Sequence, residues 1–369
     1  MPNRREFLRH AAAASAGVFC VACGLRRAAA QGGPGAAKRR EVTVGGKRVR
    51  TVDMHCHCAV PEVLDLVKGT DMERAVRGQL EGRLGFPVGA ERLADMDADG
   101  IDLQVMSINA YWYGAPRDLA RRIIDVQNEK LAQLTKANPE RFAAYASVAL
   151  QYPELAAEQL EHAMKQLGLR GAAIGGSVEG EELSAPRFDP FWAKAEELQA
   201  PIFIHPQNSA DATGVRKRVQ GSGALANVIG NPLETSIALA HLIFEGTLDR
   251  FPGLKICAAH GGGFLPSYAN RSDAVITTFP NRVGPLPKKK PTQYLKDGQL
   301  YFDSIMFTGE AMRHLIAESG VGQIMVGTDY PFPWNKVPVD HILSIPGLSD
   351  DDRIAILGGT AAKLLGIAN

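Results

Sequence analysis

Two histidines, His55 and His57, sit one residue apart at the end of the strand-like run 51–57. In an extended strand alternate side chains share a face, so two imidazoles at this spacing can close on one cation. The same alternation sends Met54, Cys56 and Cys58 to the opposite face. The run HCHC therefore reads as a histidine pair with a buried structural cysteine, not as a thiolate site. Alone, the pair is a weak signal. It gains weight because His205, His260 and Asp329 close three other strand-like runs, so four of nine histidines and one carboxylate stand at strand ends. Nitrogen donors with one carboxylate suit a zinc ion with a position left for water. Three neutral imidazoles and one aspartate leave a net positive ion, which depresses the pKa of such a water. His260 fits either a ligand or a proton shuttle. His162, His241, His314 and His341 fall in helical or connecting segments and read as structural, and His10 lies in the N-terminal segment.

Eight runs are strand-like: 51–57, 102–108, 142–150, 171–176, 201–206, 254–260, 299–304 and 323–329. Between them lie amphipathic stretches, clearest at 117–136, 153–167, 190–198, 232–250 and 309–319. Several open on proline, which suits the first helical turn. Eight such alternations predict an α/β fold, a (β/α)8 TIM barrel spanning 51–369. A last helical stretch near 350–366 would close its bottom or side. Residues 41–50 alternate around Gly45-Gly46 and predict a small β-hairpin, preceded by a Gly- and Ala-rich lead-in from residue 31. Loop insertions are expected after strand one, at 58–99, and after strand five, at 210–231. Barrel enzymes build their sites at those strand ends.

The chain has 369 residues, 45% hydrophobic and 22% charged, enough for one large core. A net charge of +1, from 41 basic and 40 acidic residues, gives no nucleic-acid footprint. The run 288–290 of three lysines reads as a solvated loop. Residues 1–30 read as a twin-arginine signal peptide: Arg4-Arg5 with Phe7-Leu8, an Ala-rich stretch too short to span a bilayer, and small residues before Gln31. Lipid attachment at Cys23 is the alternative. Loss of Cys20 and Cys23 with that segment leaves Cys56, Cys58 and Cys257, too few for a disulfide framework. The expected location is periplasmic, with no membrane span in the mature chain.

The flanks of these residues carry a resemblance. KICAAHGGGFLPSYANR at 255–271, IMVGTDYPFPW at 324–334, MHCHCAVPEVLDL at 54–66 and FIHP at 203–206 resemble the amidohydrolase superfamily. Within it they are similar to the amidohydrolase-related (family 2) group that includes α-amino-β-carboxymuconate-ε-semialdehyde decarboxylase. The similarity runs over roughly residues 50–366. It implies that His55, His57, His205 and Asp329 hold one zinc ion (manganese or another divalent ion being the alternative). His260 and Asp329 are then the catalytic residues, with His260 as acid/base. GAAIGGSV in strand four offers no lysine to bridge a second ion. Arg271 matches an arginine that reaches a substrate carboxylate from a neighbouring subunit, which implies a homodimer. Arg92 lies where the family carries another carboxylate-binding arginine. Gln207 stands where the decarboxylase has a tryptophan, and is the third candidate substrate contact.

Together these features predict a mononuclear-metal decarboxylase acting on an unsaturated or aromatic carboxylic acid, with a metal-activated water and His260 moving the proton. A metal-dependent hydrolase of a lactone, ester or amide uses the same ligand set. A periplasmic protein that binds a small molecule without catalysis is the third reading.

Overall fold

The computed structural model describes residues 39–81, 89–207, 218–332, 334 and 337–367. The expected signal peptide at 1–30 and the lead-in up to residue 38 lie outside the described residues, as do 82–88 in the first loop insertion and 208–217, which include the start of the second. The chain enters through a two-stranded antiparallel hairpin, β1 (Thr43–Val44) and β2 (Lys47–Arg48).

Parallel strands then follow one another around a barrel: β3 (Val52–His57), β4 (Leu103–Ser107), β5 (Phe142–Ala144) and β6 (Ala172–Ile174). A small hairpin of β7 (Ser177–Val178) and β8 (Glu181–Glu182) interrupts the series, an element the sequence reading did not anticipate. The barrel resumes with β9 (Pro201–Ile204), β10 (Lys255–Ala258), β11 (Leu300–Asp303) and β12 (Ile324–Met325). The ladders join β3-β4-β5 and β6-β9-β10-β11-β12. Parallel bridges Ala146–Ala172 and Cys56–Tyr330 connect the two groups at both seams. Every residue of β3 and β4 is buried, as expected for parallel strands covered on both faces.

The lumen is apolar at its lower end. Val52, Met54, Leu103, Val105, Tyr145, Phe203 and Met325 pack there against Ala361, Leu364 and Leu365 of the helix Thr360–Leu365, which plugs the floor. Met54 therefore faces inward, a correction to strict alternation. The pairing of β3 with β4 shifts register between Asp53 and Cys56, and this irregularity turns the strand so that Met54 and the histidine pair share the lumen. Cys56 faces the outer core as expected, its Sγ donating to the Val105 carbonyl at 3.3 Å.

The predicted helices form at Arg117–Ala137, Pro153–Lys165, Asp189–Glu197 and Gly309–Ser319. The stretch predicted at 232–250 is two helices, Asn231–Phe244 and Thr247–Arg250. Gly246 between them takes a left-handed φ of 75°, which ends the first helix.

Candidate metal centre

At the upper end of the barrel the inward positions become polar. His55 and His57 leave β3 with no solvent exposure, and their Nε2 atoms lie 3.1 Å apart. Asp329 follows β12, and its Oδ1 is 2.9 Å from His57 Nε2 and 3.2 Å from His55 Nε2. His205 follows β9 and His260 follows β10. One donor atom from each of His55, His205, His260 and Asp329 lies within 4.8 Å of all the others.

The surroundings fix which ring nitrogens point at this centre. His55 Nδ1 meets Asp303 Oδ2 at 2.5 Å, and an ionised carboxylate only accepts. Nδ1 therefore carries a proton, which leaves Nε2 as the atom that can turn a lone pair to an ion at the centre. Ser107 repeats the device: its hydroxyl donates to the Cys56 carbonyl at 2.9 Å and so accepts from His57 Nδ1 at 3.0 Å. Asp303 also accepts from the backbone N–H groups of His260 and Gly261, both at 2.8 Å, which ties β11 to the turn that presents His260. Outer partners of this kind orient metal-bound imidazoles.

The electrostatics ask for positive charge. Burial alone would push the His55 imidazole down, yet Asp329 and Asp303 carry it up to about 10. Burial lowers His57 to about 4 and holds His205 well below the usual histidine range. Asp329 is buried, which would raise its carboxyl, but the facing imidazoles keep it well below the carboxylate range. Both ring nitrogens of His205 and Nδ1 of His260 are buried without a hydrogen-bond partner. Buried polar atoms are costly when unpaired. A divalent cation fits this set: it satisfies the inward lone pairs and answers the Asp329 charge.

Above the centre lies a cavity of about 540 Å³. Its wall includes His205, His260 and Asp329, the aromatic side chains Tyr111, Tyr113 and Phe332, and the polar side chains Asn109, Gln207 and Asn231. Among the described residues no lysine or arginine lines it, and Glu179 brings the opposite charge.

The family described as Amidohydrolase matches residues 52–367. The chain belongs to it. The chain is 33% identical over 281 residues to the 2-amino-3-carboxymuconate-6-semialdehyde decarboxylase of Dictyostelium discoideum, covering 75% of this chain and 76% of that one. Among solved structures it is similar to the 5-carboxyvanillate decarboxylase of Sphingomonas paucimobilis, with a TM-score of 0.78 and 27% identity over 87% of this chain and all of the other. It is also similar to a dihydroxybenzoic acid decarboxylase of Polaromonas sp. JS666 with bound manganese and the inhibitor 2-nitroresorcinol. That likeness has a TM-score of 0.72 and 26% identity, over 86% of this chain and 97% of that one. The protein is thus an enzyme of the amidohydrolase superfamily, with a metal-binding His/Asp group at its centre.

Of the substrate contacts expected from the sequence, Gln207 lines the cavity. Arg92 does not. It is fully buried on the outer side of β3, where Nη1 donates to the His57 carbonyl at 2.7 Å and Nε to Gln104 Oε1 at 2.6 Å. The sequence match placed it near the site but could not tell that the helix Ala90–Asp99, which carries it, packs on the outer side of β3. Arg271 is exposed on the helix Leu265–Thr278, away from this chain's own cavity wall. Sequence reasoning missed Asp303, although it closes the seventh strand just as Asp329 closes the eighth. It also missed Ser107, Tyr111 and Tyr113.

Proposed function

We propose that this protein is a divalent-metal-dependent carboxy-lyase acting on an aromatic carboxylic acid. The observation that carries this reading is the cavity itself: the aromatic side chains Tyr111, Tyr113 and Phe332 and the amides of Asn109, Gln207 and Asn231 stand above a metal-type His/Asp cluster. A flat aromatic ring stacks against Tyr111, Tyr113 and Phe332, and its carboxylate meets positive charge at the base of the cavity. The names of the relatives, decarboxylases of carboxylated aromatic or muconate compounds, support the same reaction class.

His55, His57, His205 and Asp329 would hold a single ion, with His260 beside it. Zinc suits the imidazole-rich set, and manganese is held by one of the relatives. When bound, the ion supplies Lewis-acid stabilisation of negative charge and activates a water. The side chains do the rest. His260 opens to the cavity with its side chain 15% exposed, and its Nε2 faces Asp329 Oδ2 at 3.6 Å. It delivers a proton to the ring carbon while the carbon–carbon bond to the carboxyl group breaks, so that CO₂ leaves and the bond's electron pair forms the new C–H bond. The Asp329 carboxylate facing Nε2 orients the His260 imidazole for this transfer. Gln207 Nε2 and Asn231 Oδ1, both buried without partners on the cavity wall, supply a donor and an acceptor for a polar ring substituent.

A panel of carboxylated aromatic acids and aromatic lactones, offered to the metal-loaded enzyme, tests this reading. Release of CO₂ from the acids supports it. Ring-opening of a lactone with no CO₂ from any acid would assign the hydrolase chemistry instead.

Arg271 supports a homodimer in which it acts in the neighbouring subunit. It shares an exposed helix face with Tyr268 and Val275, which are 61% and 36% exposed. Light scattering on the native protein and on Tyr268→Glu checks this, since a monomeric native protein contradicts it. Residues 1–30 support export by the twin-arginine route to the periplasm. Arg4→Lys/Arg5→Lys should retain the protein in the cytoplasm, and unchanged fractionation would reject that route.

A further inference from the structure

A buried polar network on the outer face of the barrel ties the first strand to the segment that carries Asp329. Asp53 is its hub. Its Oδ1 accepts from the backbone N–H of His55 at 3.1 Å and of Thr328 at 3.0 Å. Its Oδ2 accepts from Thr328 Oγ1 at 2.7 Å and from Gln104 Nε2 at 2.9 Å. Gln104 in turn accepts from Arg92 Nε, and Arg92 Nη1 reaches the His57 carbonyl. The guanidinium carbon lies 4.4 Å from the centroid of the Tyr330 ring, and Tyr330 N–H donates to Thr328 Oγ1 at 3.0 Å.

The branches end on residues in, or next to, the metal-type cluster: the backbones of His55 and His57, and the pair Thr328 and Tyr330 that flanks Asp329. This matters because β3 breaks its regular pairing with β4 between Asp53 and Cys56, where the histidine pair must be held. The side-chain network replaces the missing ladder. Arg92 has no solvent exposure, and the strand bearing His57 separates it from the lumen.

We propose that Arg92, through Gln104, Asp53 and Thr328, is a positioning residue that sets the spacing of His55, His57 and Asp329 for the ion, and that it does not bind substrate. The planar guanidinium serves this role because it donates in two fixed directions while stacking on Tyr330, which a lysine cannot reproduce.

The inference rests on the metal reading of the site, and the test separates the two. Native protein, Arg92→Lys, Thr328→Val and Thr328→Ser are stripped and titrated with Mn²⁺ and Zn²⁺ against a competing chelator. Steady-state kinetics are then measured at saturating metal. Metal affinity should fall about tenfold or more in Arg92→Lys and Thr328→Val, as for other partners that orient ligands. Thr328→Ser, which keeps the hydroxyl, should recover it, and KM for the aromatic acid should stay within about twofold of native because no substrate contact is lost. Native metal affinity with a raised KM in Arg92→Lys would make Arg92 a substrate anchor and overturn the proposal, as would unchanged affinity in Thr328→Val. Thr328→Val keeps the shape of the buried side chain and decides the matter even if Arg92→Lys does not fold. A native protein that binds neither ion would instead remove the metal reading itself.

Discussion

His55 Nδ1 lies 2.5 Å from Asp303 Oδ2, and neither side chain is exposed to solvent. This contact fixes the tautomer that aims His55 Nε2 at the centre, and the same carboxylate holds the turn bearing His260. In Asp303→Asn the amide nitrogen can turn a donor toward His55 and force the proton onto Nε2, where an ion would bind. Metal affinity should weaken by about 10–100-fold with the fold retained. Chelator competition and far-UV circular dichroism check both parts.

Gly327 lies where β12 passes the site, and a side chain there has no room. A Cβ would stand 2.8 Å from the Asp303 Cβ and 3.0 Å from the His55 Cβ. Gly327→Ala should cost about 1–3 kcal/mol of stability from overpacking. It should also lower metal content by moving His55, which denaturant unfolding and elemental analysis would show together.

Gln207 lines the cavity with its Nε2 buried and unpartnered. Gln207→Leu removes the donor at similar volume. KM for a hydroxylated aromatic acid should rise about tenfold, the worth of one hydrogen bond to a substrate group, while metal content stays native. An unchanged KM would show that the amide reads no part of the substrate.

Asp99 ends the helix Ala90–Asp99, and its carboxyl is raised from 3.8 to about 6, first by burial and then by Asp95 and Asp53. Below pH 4 it is protonated in both the folded and unfolded chain and has no pH-dependent effect. Between about pH 4 and 6 the unfolded chain ionises first, so stability is lost as pH rises, and the penalty persists above that window. Asp99→Asn should therefore stabilise the protein at pH 7.5 by about 1 kcal/mol after allowance for partial exposure. The gain should vanish at pH 4, as thermal melts at the two values would reveal.

Much of this site is legible in the sequence because a parallel barrel places strand ends in one mouth. His55, His57, His205, His260 and Asp329 each close a strand-like run, and the structure gathers them around one point. Asp303 obeys the same rule. It escaped notice because strand seven carries no histidine. Met54 was misplaced because alternation assumes a regular ladder, whereas the register shift beside it comes from pairing with β4 and leaves no local mark. Arg92 shows the limit of a family match: likeness along the chain brings a residue near a site without saying on which side of the barrel wall its helix lies. The hub formed by Asp53, Gln104 and Thr328 joins residues up to 275 positions apart, and no local pattern announces it.

The most direct measurement follows the carboxyl carbon and the incoming proton together. Carboxyl-¹³C-labelled hydroxybenzoic acids are incubated in D₂O with metal-stripped enzyme and with enzyme reloaded with Zn²⁺ or Mn²⁺. A metal-dependent decarboxylase releases one ¹³CO₂ for each deuterium gained at the vacated ring carbon, only when reloaded, and loses this activity in His260→Ala. Label retained in the acid across the panel, or release that is equal in the stripped and reloaded enzyme, would contradict that function.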